Sequence, residues 1–256
     1  MERWAWDYIL TTSLEEKLVP TRPPEVWESD APARRIAEPG RPAEFVQAGP
    51  RPRSPRTRRL KDPKRRAELL HKFLHHELQA CELMCWALLA FPDTPRAFRQ
   101  GLLREFDDEV RHMGLYAKHI ETLGYQVGEF GVRDWFWERV PSAKNACEFI
   151  AILGLGFEGG NLDHSALFAE RFRNAGDEEG ARIQEQVGAE EIAHVRFALL
   201  WFERWAGPLE LERWADLLPD PLTPWVMRGR PLNRSARRRA GMSDTFMDAL
   251  EAFERD

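Results

Sequence analysis

The chain has 256 residues, with 37 basic and 42 acidic side chains and a formal net charge of −5. That balance excludes a general nucleic-acid binder held by bulk charge. The opening Met1-Glu-Arg-Trp4 lacks the basic-then-apolar order of a secretory leader, and apolar runs such as Phe149 to Phe157 are too short to span a bilayer, so a cytoplasmic protein without membrane contact is expected.

In chain order, Trp4-Ala-Trp6-Asp-Tyr8-Ile-Leu10 is too aromatic for a free tail and is expected to dock as a short helix or strand. Residues 20–66 then hold ten of the 18 prolines and many arginines, including Arg51, Arg53, Arg56, Arg58, Arg59, Arg65 and Arg66. Proline fixes φ and removes a backbone donor, so no regular element is expected from Pro20 to Pro55. The segment reads as an extended arm, lying on the rest of the chain or partly disordered. Its cations have three candidate partners: RNA phosphates, an acidic protein, or acidic residues of the same chain. They lack the regular aromatic interleaving of a base-stacking surface.

From Lys64 to Phe91 the apolar residues Leu70, Phe73, Leu74, Cys81, Met84, Cys85 and Leu88 recur at helical spacing, and Glu77 falls in the middle of the stripe. Three later stripes are interrupted in the same way. Glu109 and His112 fall among Leu102, Phe106, Met113 and Tyr116; Glu158 falls among Ile152, Leu155 and Leu162; Glu191 and His194 fall among Ile183, Val187, Ala198 and Trp201. A buried carboxylate is costly unless it is paired, hydrogen bonded or bound to metal, and four on four core stripes ask for one shared explanation. A pair of metal ions supplies it. If the first two helices turn at Pro92 to Pro95, Glu77 and Glu109 each lie roughly 21 Å from the turn and face each other. A second turn at Asn174-Ala-Gly-Asp177 places Glu158 and Glu191 in the same relation. Within each Glu-x-x-His unit the spacing of three puts both side chains on one helix face. Glu77, Glu109, His112, Glu158, Glu191 and His194 are therefore the candidate metal ligands, the alternative being a degenerate bundle whose carboxylates pair with internal partners.

Several neighbours bear on that site. Tyr116 lies one turn beyond His112 and is the candidate catalytic side chain, with core packing as its ordinary role. Asp163 and His164 follow Glu158 closely enough to fix the ligand imidazoles through outer hydrogen bonds. His75 and His76 precede Glu77 and turn about 100° away from it per residue, so they are read as surface or supporting groups. Gly154, Gly156, Gly159 and Gly160 surround Glu158, where each costs roughly 0.5–1 kcal/mol against Ala in a helix interior. They suggest close helix approach, a channel, or a bulge that re-aims Glu158. Cys81, Cys85 and Cys147 form no C-x-x-C pair and read as small apolar residues. Trp86, Trp135, Trp137, Trp201 and Trp205 read as packing, or as lining of a substrate pocket or an electron route. After Gly207 a helix is expected near Leu209 to Leu218, followed by a basic stretch from Arg228 to Arg239.

The six-residue pattern resembles the ferritin-like di-iron carboxylate proteins, over about Lys64 to Gly207. The phrases His75-His-Glu-Leu-Gln-Ala80 and Asp108-Glu-Val-Arg-His112 look closest to an uncharacterised bacterial branch of them. The resemblance implies an all-α fold, a ferritin-like four-helix bundle over 64–207, with an N-terminal segment and arm over 1–63 and a short helical extension over 208–256. It implies two Fe ions on the six ligands, with Mn or a mixed Fe/Mn pair as alternatives. The expected function is an oxygen-activating oxidoreductase of hydroxylase or oxygenase type, acting on a small molecule or a modified nucleoside. Dioxygen or peroxide would be its partner, and RNA could be recruited through the basic arm. Rubrerythrin-type peroxidases carry a cysteine-paired iron site that this chain lacks, so electrons would come from a separate donor or from the substrate. A homodimer is compatible with the fold. The alternatives are an iron-handling or peroxide-scavenging protein of ferritin or rubrerythrin style, and a metal-binding structural bundle without turnover.

Overall fold

The computed structural model describes residues 1–46 and 60–254; Arg51, Arg53, Arg56, Arg58 and Arg59 of the arm lie outside them. The described residues are helical and carry no β-strand, as expected of an all-α chain. They fall into two compact units, residues 1–141 with 174–176, and residues 142–173 with 177–256.

The first unit is built on a helical hairpin. Helix α1 spans Glu2–Leu10, α2 Leu14–Leu18, α3 Pro63–Ala90 and α4 Arg96–Thr122. Pro63 occupies the first turn of α3, where its missing N–H costs nothing, and Asp62 accepts a hydrogen bond from the Lys64 amide. The turn between α3 and α4 falls where Pro92 and Pro95 place it. Every residue of α3 from Glu77 to Ala90 is buried. A helix buried around its whole circumference must be covered on every side. In this unit α4 covers one side through Phe98, Leu102, Phe106, Met113 and Ile120, all buried. The N-terminal segment covers another: α1 packs on α3, the Arg34 amide donates to the Leu89 carbonyl, and the Trp86 indole donates to the Ile36 carbonyl at 3.2 Å. The aromatic opening is thus a docked helix, and residues 20–46 follow as an ordered arm without regular structure.

Two acids, Glu77 and Glu82, interrupt that buried surface, and the second is paired within the unit. Glu82 is fully buried, and its Oε1 accepts from Lys17 Nζ at 2.7 Å and from Arg41 Nη1 at 2.5 Å. Lys17 spends its other donors on the Tyr8 and Ile9 carbonyls, both at 2.8 Å. Arg41 Nε reaches Asp134 Oδ1 at 3.0 Å, and the same oxygen lies 2.9 Å from His75 Nε2. Burial lowers the Lys17 pKa, against the raising effect of Glu82. Arg41, one of the arm's cations, is therefore committed to acids of its own chain, the plainest of the three readings of the arm's charge.

The second unit contains α5 (Ala146–Ile152), a π-helical turn (Leu153–Glu158), α6 (Gly159–Asn174), α7 (Glu178–Ala206), α8 (Leu211–Ala215), α9 (Arg234–Ala240) and α10 (Asp244–Ala252). Gly176 at φ +81° makes the tight turn between α6 and α7, and Asp177 caps α7 by accepting from the Gly180 amide at 2.8 Å. Helices α6 and α7 run antiparallel in register, with Ser165 against Gly188 and Phe172 against Gly180. Gly207 at φ +87° ends α7. The extension beyond it holds three short helices rather than the single one expected near Leu209 to Leu218.

Candidate metal centre

Each unit carries one Glu-x-x-His pair and one further Glu. In the first, Glu77 comes from the middle of α3 and Glu109 and His112 from α4. All three are buried, at 6 %, 1 % and 0 % exposure. Each offers one ligand atom, and the three atoms lie within 4.8 Å of one another. His112 Nδ1 is 3.1 Å from Glu109 Oε2, the contact expected of an i,i+3 pair on one face. Two buried carboxylates held this close favour a proton or a cation between them. Their field reaches outward: burial first, then the charge of Glu109, pushes the Cys81 thiol well up.

In the second unit, Glu158 closes the π-helical turn, and it offers an atom within 4.8 Å of one from His194 on α7. Glu191, one turn before His194, is 1 % exposed. Its Oε1 accepts from Asn161 Nδ2 at 2.8 Å, and its Oε2 has no hydrogen-bond partner among the described residues, with His194 Nδ1 at 3.4 Å. A buried carboxylate oxygen that meets no donor is suited to a metal ion. The donor set of carboxylates and imidazoles suits iron or manganese. On both counts the residues fit the metal.

The π-helical turn explains the glycines. The Gly159 amide donates back to the Gly154 carbonyl, five residues earlier, which inserts one residue into the turn and rotates Glu158 relative to the helix before it. A Cβ on Gly154 would overlap that of Ala198 on α7, one on Gly156 would meet Met227 Cε at 3.0 Å, and one on Gly160 would meet the Met227 carbonyl oxygen at 2.9 Å. Close approach and a bulge are both present. Along this helix pair Gly154 meets Ala198 and Asn161 meets Glu191, so Asn161, not Glu158, sits level with Glu191, while Glu158 sits near His194.

The neighbours divide. Tyr116 is buried, with its ring 5.8 Å from that of Phe73. Asp163 is not directed at a ligand imidazole: its oxygens accept from the Gly229 amide (2.9 Å), the Asn233 amide (2.7 Å) and the Arg237 guanidinium (2.7 and 3.1 Å). His164 lies beside Gly160 and Gly229, and burial lowers its pKa. His75 is buried and bonded to Asp134, and His76 stacks on Phe136 at 4.8 Å. Sequence reasoning missed Asn161, whose partner is set by the long-range pairing of α6 with α7, and Glu105, a further buried acid one turn before Glu109. Trp137 donates to the Ala37 carbonyl at 2.9 Å, and Trp201 and Trp205 pack on each other at 5.0 Å. No helix among the described residues is long and apolar enough to cross a membrane.

A family model described as "Protein of unknown function (DUF455)" matches residues 4–248. An uncharacterized protein of Haemophilus influenzae is 28% identical over 144 residues, 53% of this chain and 50% of the relative. The match therefore spans about half the length of that curated relative. No solved structure matches.

Proposed function

The chain belongs to the DUF455 family, and from its buried carboxylate and imidazole sets we propose that it is a di-iron oxidoreductase of the ferritin-like four-helix type, using dioxygen to oxidise a small organic molecule. The observation that carries this reading is the convergence of Glu77, Glu109 and His112 within 4.8 Å inside an apolar hairpin, echoed by Glu158 and His194 in the second unit. Glu191 completes the six ligands. Two iron ions held by such ligands bind dioxygen and exchange electrons in pairs.

The chain's own residues do the rest. Asn161 holds one oxygen of Glu191 and so presents the other. The π-helical turn sets the direction of Glu158. The i,i+3 spacing brings Glu109 with His112, and Glu191 with His194, to one face of their helices. The apolar side chains of α3 and α4, among them Leu74, Leu78 and Phe106, exclude water from the first set and raise the cost of leaving its charges uncompensated. Tyr116, buried one turn from His112, is the candidate side chain for moving a proton or electron there.

The test is metal content and oxygen chemistry on one preparation. Protein from iron-supplemented cells is analysed for metal, reduced without air and mixed with dioxygen. The proposal expects iron on the chain and dioxygen consumption that depends on Glu109 and Glu191. Metal without dioxygen consumption favours a structural bundle. Rapid turnover of peroxide in preference to dioxygen favours a scavenging role.

A further inference from the structure

The C-terminal extension converges on the few residues around Glu158, and it does so with buried polar groups. Arg237 on α9 and Asp163 on α6 are 1 % and 2 % exposed and form a two-bond ion pair. Arg237 Nη2 also donates to the carbonyl of Gly159, the residue after Glu158, at 2.8 Å. Arg237 Nη1 reaches Met242 Sδ at 3.5 Å. Asp163 accepts in addition from the amides of Gly229 and Asn233, and the Asn233 side chain donates to the Leu162 carbonyl at 3.1 Å. Met227 lies against Gly156 on one side of Glu158 and against Gly160 on the other. The π-helical turn and the start of α6 are thus gripped over Gly156 to Asp163 by residues 66 to 78 positions later in the chain.

A π-helical turn carries weaker local preference than the α-helix on either side and persists only where its surroundings hold it. An interior ion pair is likewise expensive, and one whose members also bond to surrounding backbone is retained where it fixes one arrangement over others. We infer that Arg237 and Asp163 are positioning residues for Glu158: the extension is a clamp that keeps the π-helical turn, and with it the Glu158 carboxylate, in the orientation that binds metal. The inference rests on the metal reading above. It gives the residues beyond 207 a place in the site's chemistry, although none of them is a ligand.

The test uses the full chain. Arg237→Met keeps the buried volume and removes the ties to Asp163 and Gly159. Met227→Ala loosens the same grip without leaving a buried acid alone, and decides the matter if Arg237→Met does not fold. Arg234→Gln, whose partners Asp244, Asp248 and Glu251 are exposed, is the control in the same extension. Anaerobic Fe(II) titration measures stoichiometry and affinity, the cobalt(II)-substituted absorption spectrum reports ligand geometry, and circular dichroism reports the fold. The expected result is a helical protein whose weaker metal site loses roughly ten-fold or more in affinity and whose cobalt bands shift, in Arg237→Met or Met227→Ala but not in Arg234→Gln. Unchanged affinity and an unchanged cobalt spectrum in a folded variant with a lowered melting temperature would overturn the inference, leaving a structural clamp alone. A wild-type chain that takes up no metal would overturn the metal reading itself, and this inference with it.

Discussion

Glu82 and Glu109 are both buried acids on neighbouring helices, and the difference between them motivates the proposed site. Glu82 is met by Lys17 and Arg41, so its charge is compensated within the chain. Glu109 shares its surroundings with another carboxylate and an imidazole, Glu77 and His112, a donor set that would suit a cation. Glu82→Ala leaves the buried Lys17 without its acid, while Arg41 keeps Asp134, and should cost about 3–5 kcal/mol in urea unfolding, with metal content unchanged. Glu109→Ala or Glu191→Ala should lose metal and, in metal-loaded protein, stability, whereas His76→Ala should do neither; equal metal content in all three would remove these ligands from the assignment. The burial of all six candidate residues was legible in the sequence, because a charged residue in an apolar stripe is visible without a fold. Their supporting partners were not. Asp163 points to residues 66 to 74 positions away, and no local pattern encodes such a pairing.

At the scale of elements, α3, α4 and α7 could be read because long apolar periodicity and strong end signals agree: Pro63 and Pro95 at two starts, Asp177 at a third, Gly207 at an end. Helices α9 and α10, of 7 and 9 residues, escaped. Helices this short are held by tertiary packing more than by their own propensity, so periodicity says little about them. The π-helical turn lies between these cases, since its glycines announced something unusual without saying which device it was. Gly154→Ala tests it. A Cβ there collides with Ala198 in a packed helix pair, so a loss of about 1–3 kcal/mol is expected, together with weakened metal binding as Glu158 is turned aside. Wild-type affinity in a destabilised Gly154→Ala protein would separate the bulge from the site.

For the whole molecule, stability should depend on pH in a direction set by buried histidine. His71 is fully buried, and its Nε2 accepts from the Gly128 amide at 2.7 Å, a bond that only the unprotonated nitrogen can make. Burial first, then the neighbouring His75, lowers its pKa to about 4. The unfolded chain therefore binds more protons between roughly pH 6.5 and 4, so stability is fully present above that window and declines as pH falls through it, by about 3 kcal/mol for this group. Urea unfolding across the window should show the decline, and His71→Gln should flatten it; equal slopes would assign the effect elsewhere. The arm illustrates the limit of composition at this scale. Its prolines correctly excluded regular structure from residues 20–46, but whether Arg41 reaches RNA or Glu82 depends on which surface the chain folds back upon. The measurement that bears most directly on the account is metal per chain, followed by the optical record of the reduced protein meeting dioxygen. About two irons per chain and a transient absorption change on mixing are predicted. A chain that folds fully and carries no iron after iron-supplemented growth and anaerobic reconstitution would contradict it.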